Sequence, residues 1–309
     1  MPGIENIASY VPAGRASNLE PALLERFQID EKFVRDKIGV LRRAVKGADE
    51  ETSDLAVRAL QALLEKTGLA ADAIDALVVV TQNPDTNLPH VSALVHGKAG
   101  LAARCAAFDL GLGCSGYVYG LSVLQAFLAG NGLARGVLVT ADPYSKIVAD
   151  DDKNTVLLFG DAATATLLGP APVYRAGPFS FGTRGAAHEA LACREGRLAM
   201  NGREVFNFAA TGVAPDVLGL LQRAGIGKDE VDAYLFHQGS RYIVETIRAR
   251  LGVAQERVRL GLQDVGNTVS SSIPLLLERE LENPQSRILV LSGFGVGLSW
   301  ASCLCKREK

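Results

Sequence analysis

Short unbroken apolar runs alternate along this chain with stretches in which apolar residues recur every three or four positions. "DLAVRALQALLEKTGL" (54–69) has the longer period, which predicts a helix that stops at Gly68. "IDALVVVTQ" (74–82) and "RGVLVTAD" (135–142) are unbroken and predict buried strands. "GYVYGLSVLQAFLAG" (116–130) predicts a helix with an almost wholly apolar surface. The alternation, with strands apolar on both faces, predicts an α/β fold of covered, largely parallel sheets.

The pattern also repeats. "LLEKTGLAADAIDALVVV" (63–80) aligns without a gap on "LLQRAGIGKDEVDAYLFH" (220–237), an offset of 157 residues. Both read helix, glycine stop, short linker, Asp-Ala, strand. "FDLGLGCSGYVYGLSVLQ" and "LGLQDVGNTVSSSIPLLLE" form a second pair, with Cys114 and Asn267 at corresponding turns, 153 apart. Two matched units in the same order predict a duplication. The expected boundary lies in "GPAPVYRAGP" (169–178), giving halves 1–170 and 171–309. A pseudo-twofold axis between them would bring Cys114 of one half to His237 and Asn267 of the other.

Composition narrows the class. With 309 residues, 48% of them apolar, the chain can bury a large core. A formal charge of −2 argues against nucleic-acid binding. There is no apolar run of membrane-spanning length and no signal-peptide pattern at the start, so a soluble cytoplasmic protein is expected. Five cysteines without framework spacing fit a reducing compartment.

Three residues stand out chemically. Cys114 lies at the expected start of the 116–130 helix, where backbone N–H groups and the helix dipole would stabilise a thiolate and lower its pKa. It reads equally as a buried structural cysteine. His237 ends the strand "VDAYLFHQ"; its imidazole can donate from Nε2, act as a base, or merely fill the core. Asn267 can cap the following helix or donate beside the histidine. Cys-His-Asn also occurs in papain-like hydrolases, so residue types alone leave the chemistry open. The Gly-rich turn in "LVLSGFGVGLSWASCLC" (289–305) offers backbone N–H groups near Gly295 and Val296, or is simply a tight hairpin. Cys303 and Cys305 read as core packing, His90, His96 and His188 as surface or loop residues, and no metal site is expected.

"DLGLGCSGYVYGLS", "LFGDAATATLL", "MNGREVFNFA", "FHQGSRYIV", "VGNTVSSSIP" and "GFGVGLSW", in this order along the chain, resemble the β-ketoacyl-acyl-carrier-protein synthase III family. The resemblance implies a thiolase-like fold, two duplicated α/β halves in a layered αβαβα arrangement, in a homodimer. It implies a decarboxylating Claisen condensation without metal or redox cofactor. Acyl-CoA and a malonyl thioester would be substrates, and acyl carrier protein a partner. Cys114 would carry the primer acyl group. His237 and Asn267 would hold the malonyl carbonyl, and the backbone of Cys114 and Val296 the tetrahedral oxyanion. Asn267 resembles the decarboxylating members rather than relatives that use Glu or a second Cys. A same-fold acyltransferase passing its acyl group to oxygen or nitrogen is the alternative.

The chain departs from the family pattern at several positions. Phe33 and Lys37 stand where Trp and Arg often cradle coenzyme A, and Lys153 where a second phosphate-contacting Arg is usual. Phe206 and Ser240 fall at pantetheine positions, with Gln238-Gly239-Ser240 replacing Gln-Ala-Asn. Val296 replaces a glycine. Leu88 stands where an aromatic often gates the acyl pocket across the dimer. These replacements imply weak coenzyme A binding and room for a primer longer than acetyl. Arg241 and Arg248, on the helix after His237, are candidates to meet an acidic carrier protein.

Overall fold

The computed structural model describes residues 2–308. The chain opens with β1 (Gly3–Tyr10), then a small ribbon of β2 (Gly14–Ser17) and β3 (Arg42–Val45), with short helices α1 (Pro21–Phe27) and α2 (Glu31–Phe33) between its strands. Next come α3 (Thr52–Thr67), β4 (Ala76–Val80), α4 (Val91–Ala99), β5 (Ala106–Leu110) and α5 (Gly116–Asn131). β6 (Gly136–Ala141), α6 (Lys153–Val156) and β7 (Ala163–Gly169) follow. The remainder starts with β8 (Tyr174–Thr183), the hairpin β9 (Leu191–Arg194) and β10 (Arg197–Met200), and α7 (Gly202–Ala224). It ends with β11 (Ala233–Phe236), α8 (Arg241–Leu251), α9 (Ser272–Leu281), β12 (Ile288–Gly295) and β13 (Ser299–Arg307).

Local sequence accounts for many of these limits. The N–H of Glu51 donates to the Asp54 carboxylate at 2.9 Å at the start of α3, and Gly68 ends the helix in the left-handed region. Every residue of β4 and β6 is buried, as their unbroken apolar runs require.

Nine strands join in the order β11-β12-β13-β8-β1-β7-β6-β4-β5. From β8 outward the second part repeats the order of the first: β8-β13-β12-β11 mirrors β1-β7-β6-β4. An isolated parallel bridge from Tyr234 to Val258 stands where β5 pairs with β4. The two parts meet through one residue pair, Ile4 with Tyr174. The sheet is mixed rather than largely parallel. β4 pairs in parallel with β5 and β6, and β11 with β12, while the other five pairings are antiparallel. A strand covered on both faces is apolar throughout whichever way its neighbours run, so the sequence pattern did not distinguish the two.

Five layers result. α3 packs on β1, β6 and β7, and α7 on β8, β12 and β13, as outer layers. α5 lies between, against β4 and β6 on one side and β8, β12 and β13 on the other. α9 likewise meets β1 and β7 as well as β11 and β12. This central position explains the apolar surface of α5: both sides face a sheet. It also brings the starts of α5 and α9, one from each repeat, to the same level.

Candidate active site

Cys114 sits in the turn between β5 and α5, 3% exposed, with Ser115 as the helix N-cap. The end of β12 presses on this turn. A Cβ on Gly295 would lie 2.7 Å from the Cys114 sulfur, so only glycine lets the two segments meet. Beyond it the chain turns through Val296–Leu298 into β13, and Gly297 takes the positive φ of 116°. The valine therefore occupies its position without strain. The N–H groups of Val296 and of Cys114 itself are directed at the thiol.

Full burial nevertheless pushes the Cys114 thiol up to about 12, and the Asp142 carboxylate adds to the rise, against those two N–H groups. The direction is opposite to the lowered pKa expected from the helix start: loss of hydration outweighs the two N–H groups. Asp142, at the end of β6, is fully buried and itself raised to about 7 by burial. It accepts from the N–H of Gln82 at 2.7 Å and from the Ser270 hydroxyl at 2.8 Å. It thus ties the segment after β4 to the one before α9. Its sequence signal is a single acid closing an apolar run.

His237 follows β11 and is 3% exposed; its N–H donates to the Ser292 carbonyl at 2.9 Å. Burial lowers its imidazole to about 4, so the ring is neutral at neutral pH. Nδ1 lies 2.8 Å from the Ser272 hydroxyl, and Phe294 meets the ring edge-on.

Asn267 is held by its backbone. Its N–H donates to the Leu158 carbonyl at 2.8 Å, and its carbonyl accepts from the Gly160 N–H at 3.0 Å. Its side-chain Oδ1 accepts from the Val269 N–H at 2.9 Å, leaving the Nδ2 hydrogens as donors. Val269 has φ 52°, a strained conformation for a β-branched residue. That twist aims its N–H at Asn267 and its carbonyl at Ser272. Neither Val269 nor Ser272 stood out in the sequence; the only cue was the "VSSS" run before the helix.

Cys114, His237 and Asn267 line one cavity of about 240 Å³. Around Cys114, Tyr144, Phe159, Leu191, Leu198 and Val269 form an apolar shell, with the β9–β10 hairpin supplying two of the five. Lys37, Phe206 and Ser240 also line the cavity. Ser240 caps α8 through the Ile243 N–H at 3.3 Å. Phe206 stacks on Tyr242 at 5.1 Å, and Lys37 Nζ lies 4.0 Å from the centre of the Tyr242 ring. Tyr242, 44% exposed, was missed by sequence reasoning although it stands inside "SRYIV". Phe33 and Lys153 pair with each other at 5.5 Å and are not among the cavity's lining residues; Lys153 also donates to the Phe27 carbonyl.

Arg241 is exposed beside Gly39, whereas Arg248 is engaged by Glu245 at 2.7 Å and by the Val253 carbonyl at 3.0 Å. The guanidinium of Arg248 thus closes the far end of α8 and is a poor docking group. Leu88, 84% exposed, does not line the cavity of its own chain. Cys303 and Cys305 are buried core residues. Among the described residues no group of three or more His, Cys, Asp or Glu is placed to hold a metal ion, and no helix is long and apolar enough to cross a membrane.

Two sheet regions wrapped around paired central helices, with a buried thiol at one helix start, are the architecture of the thiolase-like condensing enzymes. Comparison with known proteins places the chain within them. Residues 108–185 match the family described as 3-oxoacyl-(acyl-carrier-protein) synthase III, and residues 221–307 match its C-terminal part. A β-ketoacyl-(acyl-carrier-protein) synthase III of Bacillus cereus is 34% identical over 97% of each chain. The crystal structure of a 3-oxoacyl-(acyl-carrier protein) synthase from Burkholderia xenovorans is 33% identical, with a TM-score of 0.90 over 99% of this chain and 94% of that one. A priming β-ketosynthase from the R1128 polyketide pathway is 26% identical, with a TM-score of 0.89 over 100% and 97%. The chain belongs to the β-ketoacyl-acyl-carrier-protein synthase III family.

Proposed function

We propose that this enzyme joins an acyl primer carried on Cys114 to a malonyl thioester by decarboxylative Claisen condensation. The observation that carries the reading is the meeting, in one cavity, of a thiol faced by two backbone N–H groups and a neutral His–Asn pair. In the first step the Cys114 sulfur attacks the primer thioester as its proton passes to His237 Nε2. The tetrahedral oxyanion lies between the N–H groups of Cys114 and Val296, and the carrier thiol leaves. In the second step the malonyl C–carboxylate bond breaks and CO₂ departs. His237 and Asn267 Nδ2 donate to the thioester oxygen as it becomes an enolate. The enolate carbon attacks the Cys114 thioester, and collapse of the adduct releases the thiolate and the 3-ketoacyl product. Neutral donors suit this step, because a cationic imidazolium would pair with the thiolate.

This chemistry needs no metal or redox cofactor; acyl-CoA or acyl carrier protein and the malonyl thioester are its substrates. Lys153 lies over the Phe33 ring, and Lys37 over the Tyr242 ring, which supports weak coenzyme A binding and favours a carrier-protein donor. Arg241, exposed at the start of α8, is the candidate docking group. The open edge of β5 and the exposed Leu88 support a homodimer in which Leu88 reaches the partner's cavity. The five cysteines are all free, in keeping with a cytoplasmic enzyme.

The test mixes acyl-loaded enzyme with malonyl thioester and measures released CO₂ and ketoacyl product. CO₂ and ketoacyl product in equal amounts are expected, with the ketoacyl product lost in Cys114→Ala. Acyl transfer to an alcohol or amine without CO₂ would establish the acyltransferase alternative instead.

A further inference from the structure

A second cavity, of about 290 Å³, lies on the other side of the segment that carries Asn267. Thr268, Ser272, Val265 and Leu275 are among its walls, whereas Asn267 and His237 line the active-site cavity. Ser272 stands between the two. Its hydroxyl lies 2.8 Å from His237 Nδ1 and 2.9 Å from the Val269 carbonyl, and the Gln238 N–H reaches it at 3.4 Å.

A hydroxyl has one proton to give. If it goes to the Val269 carbonyl, His237 donates from Nδ1 to Ser272, and Nε2 is a bare acceptor. If it goes to Nδ1, Nε2 carries the ring proton and donates into the active site. The two arrangements differ by one hydroxyl rotation and one proton shift. Condensation needs both: an acceptor while Cys114 loses its proton, a donor while the enolate forms. It also consumes a proton, because the malonyl carboxylate leaves as CO₂ and the expelled Cys114 thiolate must be protonated. At that moment the substrate arm fills the front cavity.

The rear cavity offers another way in. Thr268, 1% exposed, lines it, and its hydroxyl has no hydrogen-bond partner among the described residues. Buried polar atoms of this kind are satisfied by internal water.

We propose that Ser272 is a positioning residue that connects His237 to a water-filled rear cavity, through which the proton consumed in condensation arrives. Water in the cavity gives a proton to the Ser272 oxygen. Ser272 passes its own proton to His237 Nδ1, and His237 passes the Nε2 proton to the Cys114 sulfur. Bulk solvent restores the water, so one proton has entered. His237 is left protonated on Nδ1 with Nε2 bare, the form that accepts the Cys114 proton in the next loading step. During loading Nε2 takes the thiol proton and hands it to the departing carrier thiolate, so no proton crosses Ser272. Before the malonyl arm enters, the ring changes tautomer, Nδ1 returning its proton through Ser272 while Nε2 takes one from solvent in the front cavity.

The inference rests on the condensing reading, and the experiment separates the two. Ser272→Ala leaves Nδ1–H beside the Val269 carbonyl and Nε2 bare. Acyl loading of Cys114, followed by mass, is expected to stay within about threefold, while condensation by pre-loaded enzyme falls roughly 10- to 100-fold. A curved proton inventory in mixed H₂O and D₂O becomes linear in the variant, and Ser272→Thr restores it. Leu275→Trp, which fills the rear cavity and leaves the Ser272–His237 contact intact, slows condensation in the same direction. Equal losses in loading and condensation, or wild-type condensation in Ser272→Ala, would overturn the relay. Absence of CO₂ from the wild type would overturn the condensing reading instead. Nitrogen NMR of the His237 ring judges the relay without turnover: two exchanging tautomers in the wild type and one in Ser272→Ala support it, and one fixed tautomer in both refutes it.

Discussion

At the scale of single residues, burial governs the chemistry. Cys114 gains from two N–H groups, yet loss of hydration keeps it a thiol, at about 12. The thiolate therefore forms only as substrate enters and His237 takes the proton. Iodoacetamide should report this. Exposed Cys193 is alkylated first near neutral pH, without loss of activity. Cys114 reacts slowly, and its rate climbs about tenfold per pH unit over the alkaline range, because only the thiolate attacks. A rate that levels off below pH 8 would mean that the helix start and N–H groups outweigh burial.

At the scale of elements, function depends on segments that touch without side chains between them. β12 reaches the Cys114 turn only because Gly293 and Gly295 offer no Cβ. The segment carrying Asn267 approaches the chain after α6 because Gly160 faces the Val265 carbonyl, where a Cβ would lie 1.9 Å away. Gly295→Ala should displace the Cys114 sulfur or the Val296 N–H. The expected outcome is a folded protein with acyl loading reduced by about 10²-fold, the size seen when one oxyanion donor is lost. Wild-type single-turnover loading would show that the two segments need not be this close.

At the scale of the molecule, the two parts of the sheet share a central helical layer, so the site is assembled from both. The proposed dimer extends that principle to a second chain. Leu88 does not line its own cavity, so a gating role acts on the partner. Leu88→Phe is expected to shorten the preferred primer. A mixed dimer of one Leu88→Phe chain and one Cys114→Ala chain distinguishes the routes. Its only working cavity belongs to the Leu88→Phe chain but faces an unaltered Leu88 from the partner. Wild-type primer length is expected; a shortened primer would place the gate within the chain.

The linear sequence determined what depends on neighbours in the chain: α3 and its Gly68 stop, the buried β4 and β6, the apolar α5, and the recurrence of a helix–strand unit 157 residues on. Cys114, His237 and Asn267 were legible because each sits where a strand ends or a helix begins. What the sequence left open depends on which groups lie across a gap. Strand direction was invisible, since burial on both faces gives the same apolar run in either orientation. The thiol's pKa came out opposite to the local expectation, because hydration is lost to β12 and the β9–β10 hairpin, far away in sequence. Val269, Ser272, Asp142 and Tyr242 carry no distinctive motif. Their parts follow from where a carbonyl, a hydroxyl, a carboxylate or a ring comes to rest once the two halves close on their central helices, and only the tertiary structure decided that.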